Sequence, residues 1–587
     1  MNARPAGWTP GSVGAAVGLC ALAFVLRVPG LPANLPDLYW HDELNFVEGA
    51  MRVGAGEIVA ASYGGYSHGT LTYYLLFAVY GAFFAVGRIV GMFGNSDDFL
   101  MAYVTDPSAL LLVTRGVMLA ASVATVALTF TLARRLLGTR VAILSAGLIA
   151  VSFQSVQLAL GKEDGLFALL ILVAVWLAIR ITEQPAARGR FVLLGAALGA
   201  ATAVKYFGVL ALPLILVTAG VTAAAKDRAQ RRTSVLRDSA VASAVYALVF
   251  FTLVPGVLLD TRRFILSFEA LATINSATQF SYTGVAASPW YGYLWSSLAL
   301  MNGPLLAALF YLGAVWMLRQ RLAQGAVLLV YPAILFAALT ATMVFGNSAE
   351  AVNFYQLSAL PSLCICAGGL LDYLWRARGT AVRLGVAAVL AAIAATNLAD
   401  DVRFQRLLAL ADSRTIARQW IEQNVPAGSP ILVEGAVKTF VLEGPQLQET
   451  AASLQRDLAT ILEQGGGGRL WSAKLRAASL PGGPARFDVH KVYDLTPESL
   501  EAQPAYVVVR SVRGRQLLDA DGRYRAIHAI EPDSPNAFRF VPLFSSVDIA
   551  RLRRVPLLAD DARLIPGPRL DIYRHTGVAA TIGGAVQ

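Results

Sequence analysis

Charge is what this 587-residue chain has least of. Asp, Glu, Lys and Arg together make 15% of it, against 56% hydrophobic residues. A soluble domain carries about 25% charged residues, so a wholly soluble globular protein is excluded. Cysteine is scarcer still. The three present, Cys20, Cys364 and Cys366, all fall in apolar runs, where a free thiol behaves as a small packing residue. The spacing of Cys364 and Cys366 suits neither a zinc knuckle nor a redox pair, which excludes a disulfide framework and a cysteine metal site. Nucleotide signatures are absent as well: there is no P-loop, and no Gly-x-Gly-x-x-Gly between a strand and a helix. A zincin motif and a Gly-x-Ser-x-Gly elbow are also missing. The run Gly465-Gly466-Gly467-Gly468 lacks strand-then-helix flanks and reads as a linker.

What the chain has instead is a series of long apolar runs between about residue 11 and residue 398, each long enough or nearly long enough to cross a bilayer. Beyond them charge rises and polar turns appear. The expected organisation is a polytopic α-helical membrane domain over 1–399 and a soluble, extracytoplasmic α/β domain over 400–587. The net charge of +10 does not point to nucleic acid, because the excess basic residues sit in short loops between apolar runs. Arg134, Arg135 and Arg140, then Arg188 and Arg190, Lys226 to Arg237, Arg319 and Arg321, and Arg376, Arg378 and Arg383 mark the cytoplasmic side. The loops 29–110, 159–165, 204–207, 260–290 and 346–353 then lie outside, and the protein is placed in the cytoplasmic membrane. The first apolar run reads as a retained span rather than a cleaved signal.

Two segments complicate the count. Residues 70–93 are apolar enough to span, but a single crossing there would invert the N-terminus. Their richness in Tyr and Phe favours an interfacial helix within a long outer loop. That gives about eleven spans, or about thirteen if 70–93 pairs with a weaker crossing near 99–112. Residues 191–222 read as two short helices joined at Lys205. A lysine within an apolar run is costly in lipid unless it reaches an interface or an anion.

The candidate site follows from this topology. Asp42 and Glu43, just past the first span, share the outer side with Glu163 and Asp164, with Lys205, with Asp260, Arg262, Arg263 and Glu269, and with Glu350 and Asn353. Carboxylates and cations at one membrane surface suit a substrate with a phosphate and a hydroxyl nucleophile. A carboxylate takes the proton of the attacking hydroxyl. Cations, or a divalent metal such as Mg or Mn held by carboxylates, steady the phosphate leaving group. The other class of function considered is a transporter or flippase of lipid-linked sugars, in which intramembrane charges carry the substrate.

These segments resemble the polyprenyl-phosphate-sugar-dependent glycosyltransferases of the GT-C fold. The specific family contains the protein O-mannosyltransferases and the aminoarabinose lipid A transferase. The resemblance rests on His41-Asp42-Glu43, Gly69-Thr70-Leu71-Thr72-Tyr73-Tyr74, Thr105-Asp106-Pro107-Ser108, Thr114-Arg115-Gly116, Leu132 to Gly138, Asp164 and Val204-Lys205-Tyr206. Asp412 to Ile421 and Gly567 to Arg574 resemble the opening and closing elements of an outer domain. The resemblance implies transfer of a hexosyl or pentosyl group from a polyprenyl-phosphate donor to a glycan, lipid or protein acceptor.

Asp42 would be the base, Glu43 its helper and Asp164 a second acidic site residue. Lys205 would contact the lipid phosphate, and His41, Tyr206, Glu163, Arg262, Arg263 and Asn353 would line the substrate site. Where members often carry an Arg-Tyr pair, this chain has Asn353-Phe354-Tyr355, which leaves an inactive GT-C-like scaffold as a further alternative. Lys162 beside Glu163 is also unusual and suggests internal pairing. Whether Asp42 and Glu43 take a proton or bind a metal is left open by the sequence.

Overall fold

The computed structural model describes residues 8–577 apart from 40, 57–65, 67, 158–161, 185–188, 225–226, 270–296, 347–352, 378, 438–439, 442, 464–467, 481–484, 532–548, 550–551, 556 and 558–564. Arg188, Lys226, Glu350, Arg378 and Gly465 to Gly467 lie outside the described residues. The chain opens with α1 (Pro10–Arg27), started by a capping box between Thr9 and Ser12 with Pro10 in its first turn. Next come α2 (His41–Gly54), α3 (Leu71–Ile89), α4 (Ser96–Thr105), α5 (Ser108–Leu137), α6 (Thr139–Val151), the short α7 (Phe153–Gln157), α8 (Asp164–Glu183) and α9 (Gly189–Val204). The α-helix stops at Lys205, whose backbone is extended, and resumes through a 3-10 turn, Tyr206–Ala211, as α10 (Pro213–Ala223). α11 (Arg228–Leu253) packs along α9. It does so backbone to backbone, because a Cβ on Gly195 would meet the Ala242 carbonyl oxygen at 2.2 Å. The helices Pro304–Gln320, Leu322–Gly346, Leu360–Ala377 and Thr380–Ala409 complete the bundle.

Hydrogen bonds and ion pairs sort the two ends of the bundle. At one end the basic loops meet: Arg135 pairs with Glu183 at 2.5 Å, and Arg321 donates to the Leu136 carbonyl at 3.1 Å. Asp372 takes Arg376 at 2.8 Å and Arg140 at 3.4 Å. The other end carries the start of α2, the start of α8, the joint at Lys205 and the sheet-bearing domain. Among the described residues nine helices are long and apolar enough to cross a membrane, and three shorter apolar helices accompany them.

One of the nine, α3, does not run between the ends. Thr70 at its start bonds the Leu253 carbonyl, Tyr80 contacts Thr114 early in α5, and the α4 that follows packs on the helix Gly468–Ser479. These contacts place its start beside the end of α11 and its middle beside the start of α5, as an interfacial helix would require. Among the described residues, eight other long apolar helices and three shorter ones remain, which would make eleven, the lower of the expected counts, if α3 does not cross.

The expected boundary at 399/400 falls inside the helix Thr380–Ala409. The rise in charge there marks an amphipathic extension beyond the apolar stretch, held by Phe404, Leu407 and Leu408 packing on Phe153, Met301, Ile549 and Leu552. After it Asp412 caps the helix Ser413–Asn424. A five-stranded mixed sheet follows, with β1 (Pro430–Glu434), β4 (Asp488–Val492), β5 (Tyr506–Val509), β6 (Tyr524–Ile530) and β7 (Leu570–His575) in the order β4-β1-β5-β7-β6. β1 is parallel to β4 and β5, and β7 is antiparallel to β5 and β6. A two-residue hairpin, β2 (Ala436–Val437) with β3 (Phe440–Val441), stands apart from the sheet. β5 reads Tyr-Val-Val-Val because both of its faces are covered, by two separate apolar clusters.

Candidate active site

Three chain segments that are distant in sequence deliver the charged side chains. Asp42 lies in the first turn of α2, where the helix dipole favours a carboxylate. Lys162 and Glu163 immediately precede α8 and Asp164 opens it. Lys205 stands at the break between α9 and the following turn. A fourth segment, at His68, is drawn in by Gly69, whose missing Cβ lets the backbone lie on the end of α9. A Cβ there would sit 2.1 Å from the Ala203 carbonyl oxygen.

The side chains interleave by sign. Lys162 Nζ is 2.6 Å from Asp42 Oδ2, and Lys205 Nζ is 2.5 Å from Asp164 Oδ1 and 3.7 Å from Glu163 Oε1. His68 bridges two carboxylates, with Nε2 3.6 Å from Asp42 and Nδ1 3.2 Å from Glu163. Lys205 also lies 4.9 Å from the centre of the Tyr355 ring, which stacks on Phe207 at 4.2 Å. Burial opposes the charge on His68, but Glu163 and Asp42 outweigh it and push the imidazole up to about 9, so it is protonated at neutral pH. Burial likewise raises the Glu163 carboxyl, yet Lys205 and His68 hold it below the usual carboxylate range. Burial lowers the ammonium groups of Lys162 and Lys205, and the surrounding carboxylates more than restore them. Two buried carboxylate oxygens, Glu163 Oε2 and Asp164 Oδ2, have no hydrogen-bond partner among the described residues.

Asp42, Glu163, Asp164 and Lys205 are thus brought together as their shared side predicted. Tyr206 joins indirectly, donating to the His68 carbonyl at 3.2 Å. Glu43 does not join. It is fully buried and gives both oxygens to Arg115, at 2.6 and 2.8 Å, while Arg115 also donates to the carbonyls of Leu31 and Ala33. Successive residues on a helix point about 100° apart, and here that turn directs Asp42 to the cluster and Glu43 to Arg115. Expecting Glu43 to assist at the reacting centre treated sequence neighbours as spatial ones. Its place is that of an anchor between α2 and α5.

Arg262 and Arg263 lie on the helical segment 261–269, whose Phe264 packs on Tyr66 and Tyr206, and whose Phe268 packs on Tyr206. Asp260 of the same loop accepts from Tyr66 at 3.2 Å. This loop borders the cluster through Tyr66, two residues before His68. The side chains of His41 and Asn353 lie outside the described residues.

Sequence reading missed His68. A lone histidine between Ser67 and Gly69 carries no periodicity, and only the tertiary approach to α9 gives it partners. In the C-terminal domain His490 pairs with Asp488 at 3.4 Å, and Tyr493 and Asp494 flank Arg510, which also pairs with Glu443.

A divalent cation does not suit this donor set. Each of the three carboxylates at the cluster already faces a cationic side chain, and the described residues contain no group of three His, Cys, Asp or Glu side chains arranged to hold a metal. What the arrangement can do is hold an anion with cations while offering carboxylates to a proton donor.

The fold and site define a multi-spanning helical membrane protein with an interleaved acid–base cluster at one end and an α/β domain beside it. Residues 108–258, from the start of α5 to the turn after α11, match the family described as dolichyl-phosphate-mannose-protein mannosyltransferase, in line with the resemblance of the motifs. No curated protein sequence matches the chain. Among solved structures, the chain is similar to ArnT from Cupriavidus metallidurans in the apo state (16% identity, 88% of this chain and 96% of that one, TM-score 0.49). The same protein bound to undecaprenyl phosphate matches at 15% identity over 89% of this chain and 97% of that one, TM-score 0.48. The oligosaccharyltransferase AglB from Archaeoglobus fulgidus, in complex with an inhibitory peptide and a dolichol-phosphate, matches at 12% identity over 96% of this chain and 88% of that one, TM-score 0.47.

Proposed function

We propose that this chain is a membrane glycosyltransferase that moves a sugar from a polyprenyl-phosphate carrier to an acceptor hydroxyl on the outer face of the cytoplasmic membrane. The observation that carries this reading is the interleaving of Asp42, Glu163 and Asp164 with Lys162, Lys205 and His68 at one end of the bundle. The basic loops at the opposite end support the outer placement, through the cytoplasmic preference of Lys and Arg. The family match of residues 108–258 supports the donor class.

In the proposed reaction the donor phosphate competes for the ammonium groups of Lys162 and Lys205, which are otherwise neutralised by Asp42 and Asp164. Withdrawal of Lys162 loosens the hold on the Asp42 carboxylate, which then accepts a proton. The acceptor hydroxyl then attacks the anomeric carbon. Its proton passes to Asp42, a new C–O bond forms, and the bond from the anomeric carbon to the phosphate oxygen breaks. That electron pair ends on the lipid phosphate, which the two lysines and protonated His68 stabilise. Attack opposite the leaving group inverts the anomeric centre. A mannosyl-type donor is the first choice within the hexosyl and pentosyl range, and the acceptor is a glycan, lipid or protein hydroxyl. The confinement of these charges to one end, rather than the mid-bilayer positions typical of carriers, favours a transferase over a flippase.

The test is transfer from polyprenyl-phosphate sugars by the purified protein in lipid nanodiscs, across a panel of donors and acceptors. Vectorial movement of the lipid-linked sugar without transfer would establish the carrier reading instead.

A further inference from the structure

The segment just before the proposed base is held by polar contacts from the C-terminal domain as well as by packing on the membrane helices. Gln446 clamps both backbone groups of Leu38: its Oε1 accepts from the Leu38 N–H at 2.8 Å, and its Nε2 donates to the Leu38 carbonyl. Asp37 accepts from Thr415 at 2.8 Å and Tyr39 at 3.1 Å, and pairs with Arg418 at 3.1 Å. Thr415 and Tyr39 share a further hydrogen bond at 2.7 Å. The Arg414 guanidinium, fixed by two bonds of 2.7 Å to Asp412, lies 3.9 Å from the centre of the Tyr39 ring. Asp37, Leu38 and Tyr39 are all buried by these contacts. Further along α2 the same domain reaches Glu48 through Lys474 at 3.3 Å. Asp42 follows Tyr39 by only three residues.

With the Leu38 backbone held before the helix start and Glu43 held by Arg115 within its first turn, that start has little freedom. A side chain at its first turn then points where the clamp sets it. We infer that Gln446, with Thr415 and Arg418, is a positioning residue: it fixes the first turn of α2 and through it the direction of the Asp42 carboxylate. The C-terminal domain is thereby part of the reacting geometry, although none of its described residues contributes a side chain to the charged cluster. This inference rests on the transferase reading for its catalytic consequence, but not for its structural one. Misplacement of a reacting group by about 1 Å costs up to about 100-fold in rate.

The test uses the full-length protein in nanodiscs, comparing wild type with Gln446→Leu, which removes both bonds at similar volume, and Thr415→Val. Amide hydrogen exchange over residues 41–46 reports the clamp, and exchange over β1 and β5 reports whether the domain is still folded. Steady-state transfer gives kcat and the donor KM.

The expected result is at least about tenfold faster exchange over 41–46 with the sheet unchanged. It is accompanied by a kcat lowered about tenfold and a donor KM within about twofold of wild type. If Gln446→Leu also loosens the sheet, Thr415→Val carries the comparison. Unchanged exchange over 41–46 in a folded variant overturns the clamp. Faster exchange with unchanged kcat overturns the positioning role. Faster exchange in a protein whose wild type transfers no sugar upholds the clamp and counts against the transferase reading alone.

Discussion

At the basic end of the bundle Arg140, Arg237 and Arg376 keep 52%, 46% and 60% of their side-chain surface in solvent, whereas Lys162, Lys205 and His68 at the other end keep 11%, 12% and 16%. The same kinds of charge are handled in opposite ways. Solvated arginines interact weakly with their partners, because water and ions screen them. Their effect would be collective, through the cytoplasmic preference of Lys and Arg. The buried cations each cost desolvation, which the carboxylates beside them offset, so every member of the cluster depends on named partners. The Glu43–Arg115 pair extends the comparison, being buried like the cluster but saturated by its own hydrogen bonds. Buried charge is thus used here in two ways, to join helices and to build a site.

The sharpest way to break that comparison is Asp42→Asn. Transfer should fall about 1,000-fold in kcat, within the range for loss of a general base. A loss under about tenfold in the nanodisc assay would remove Asp42 from the role of base. Next is Arg115→Met, which strands a buried Glu43. A loss of about 3–5 kcal/mol is expected, read as a lowered thermal or denaturant midpoint, and unchanged stability would mean that the pair joins nothing. Lys205→Met should weaken binding of a polyprenyl-phosphate by about 10- to 100-fold, measured by titration without turnover, as befits a lost charge-assisted hydrogen bond. An unaltered Kd would take the phosphate away from this end of α9.

A smaller effect concerns pH. The His68 pKa is raised on folding, so its contribution to stability is complete below its ordinary value near 6.5 and is lost as pH rises through about 9. Lys162 and Lys205 are held above their ordinary values, which leaves the window between neutrality and pH 9 to His68. The melting temperature should decline across that window, and His68→Asn should flatten the decline; an identical slope in the variant would assign it elsewhere. Smallest of all is Arg140→Gln at the basic end, where the stability change should stay under about 0.5 kcal/mol. A large loss there would erase the distinction between the two ends.

Much of the fold was legible because lipid imposes simple rules. Long apolar runs, alternating basic loops, the break at Lys205 and the aromatic character of 70–93 each reflect a local cost of placing a group in hydrocarbon. The site was legible only as a side of the membrane. Topology gathered Asp42, Glu163, Asp164 and Lys205 at one end, but it could not separate Asp42 from Glu43, since adjacency in sequence says nothing of the turn between their side chains. Nor could it find His68, whose role depends on Gly69 meeting the end of α9. The boundary near 400 was misplaced because a helix leaving the membrane turns polar before it ends.

The sequence by itself determined a multi-spanning helical membrane protein with a small α/β domain, because both follow from hydrophobicity and charge read along one segment at a time. Only the tertiary structure decided which cation meets which carboxylate, and that the C-terminal domain grips the approach to Asp42. Those pairings join residues up to about 400 positions apart, and their geometry depends on how the helices are turned against one another, as the contact between Leu38 and Gln446 shows.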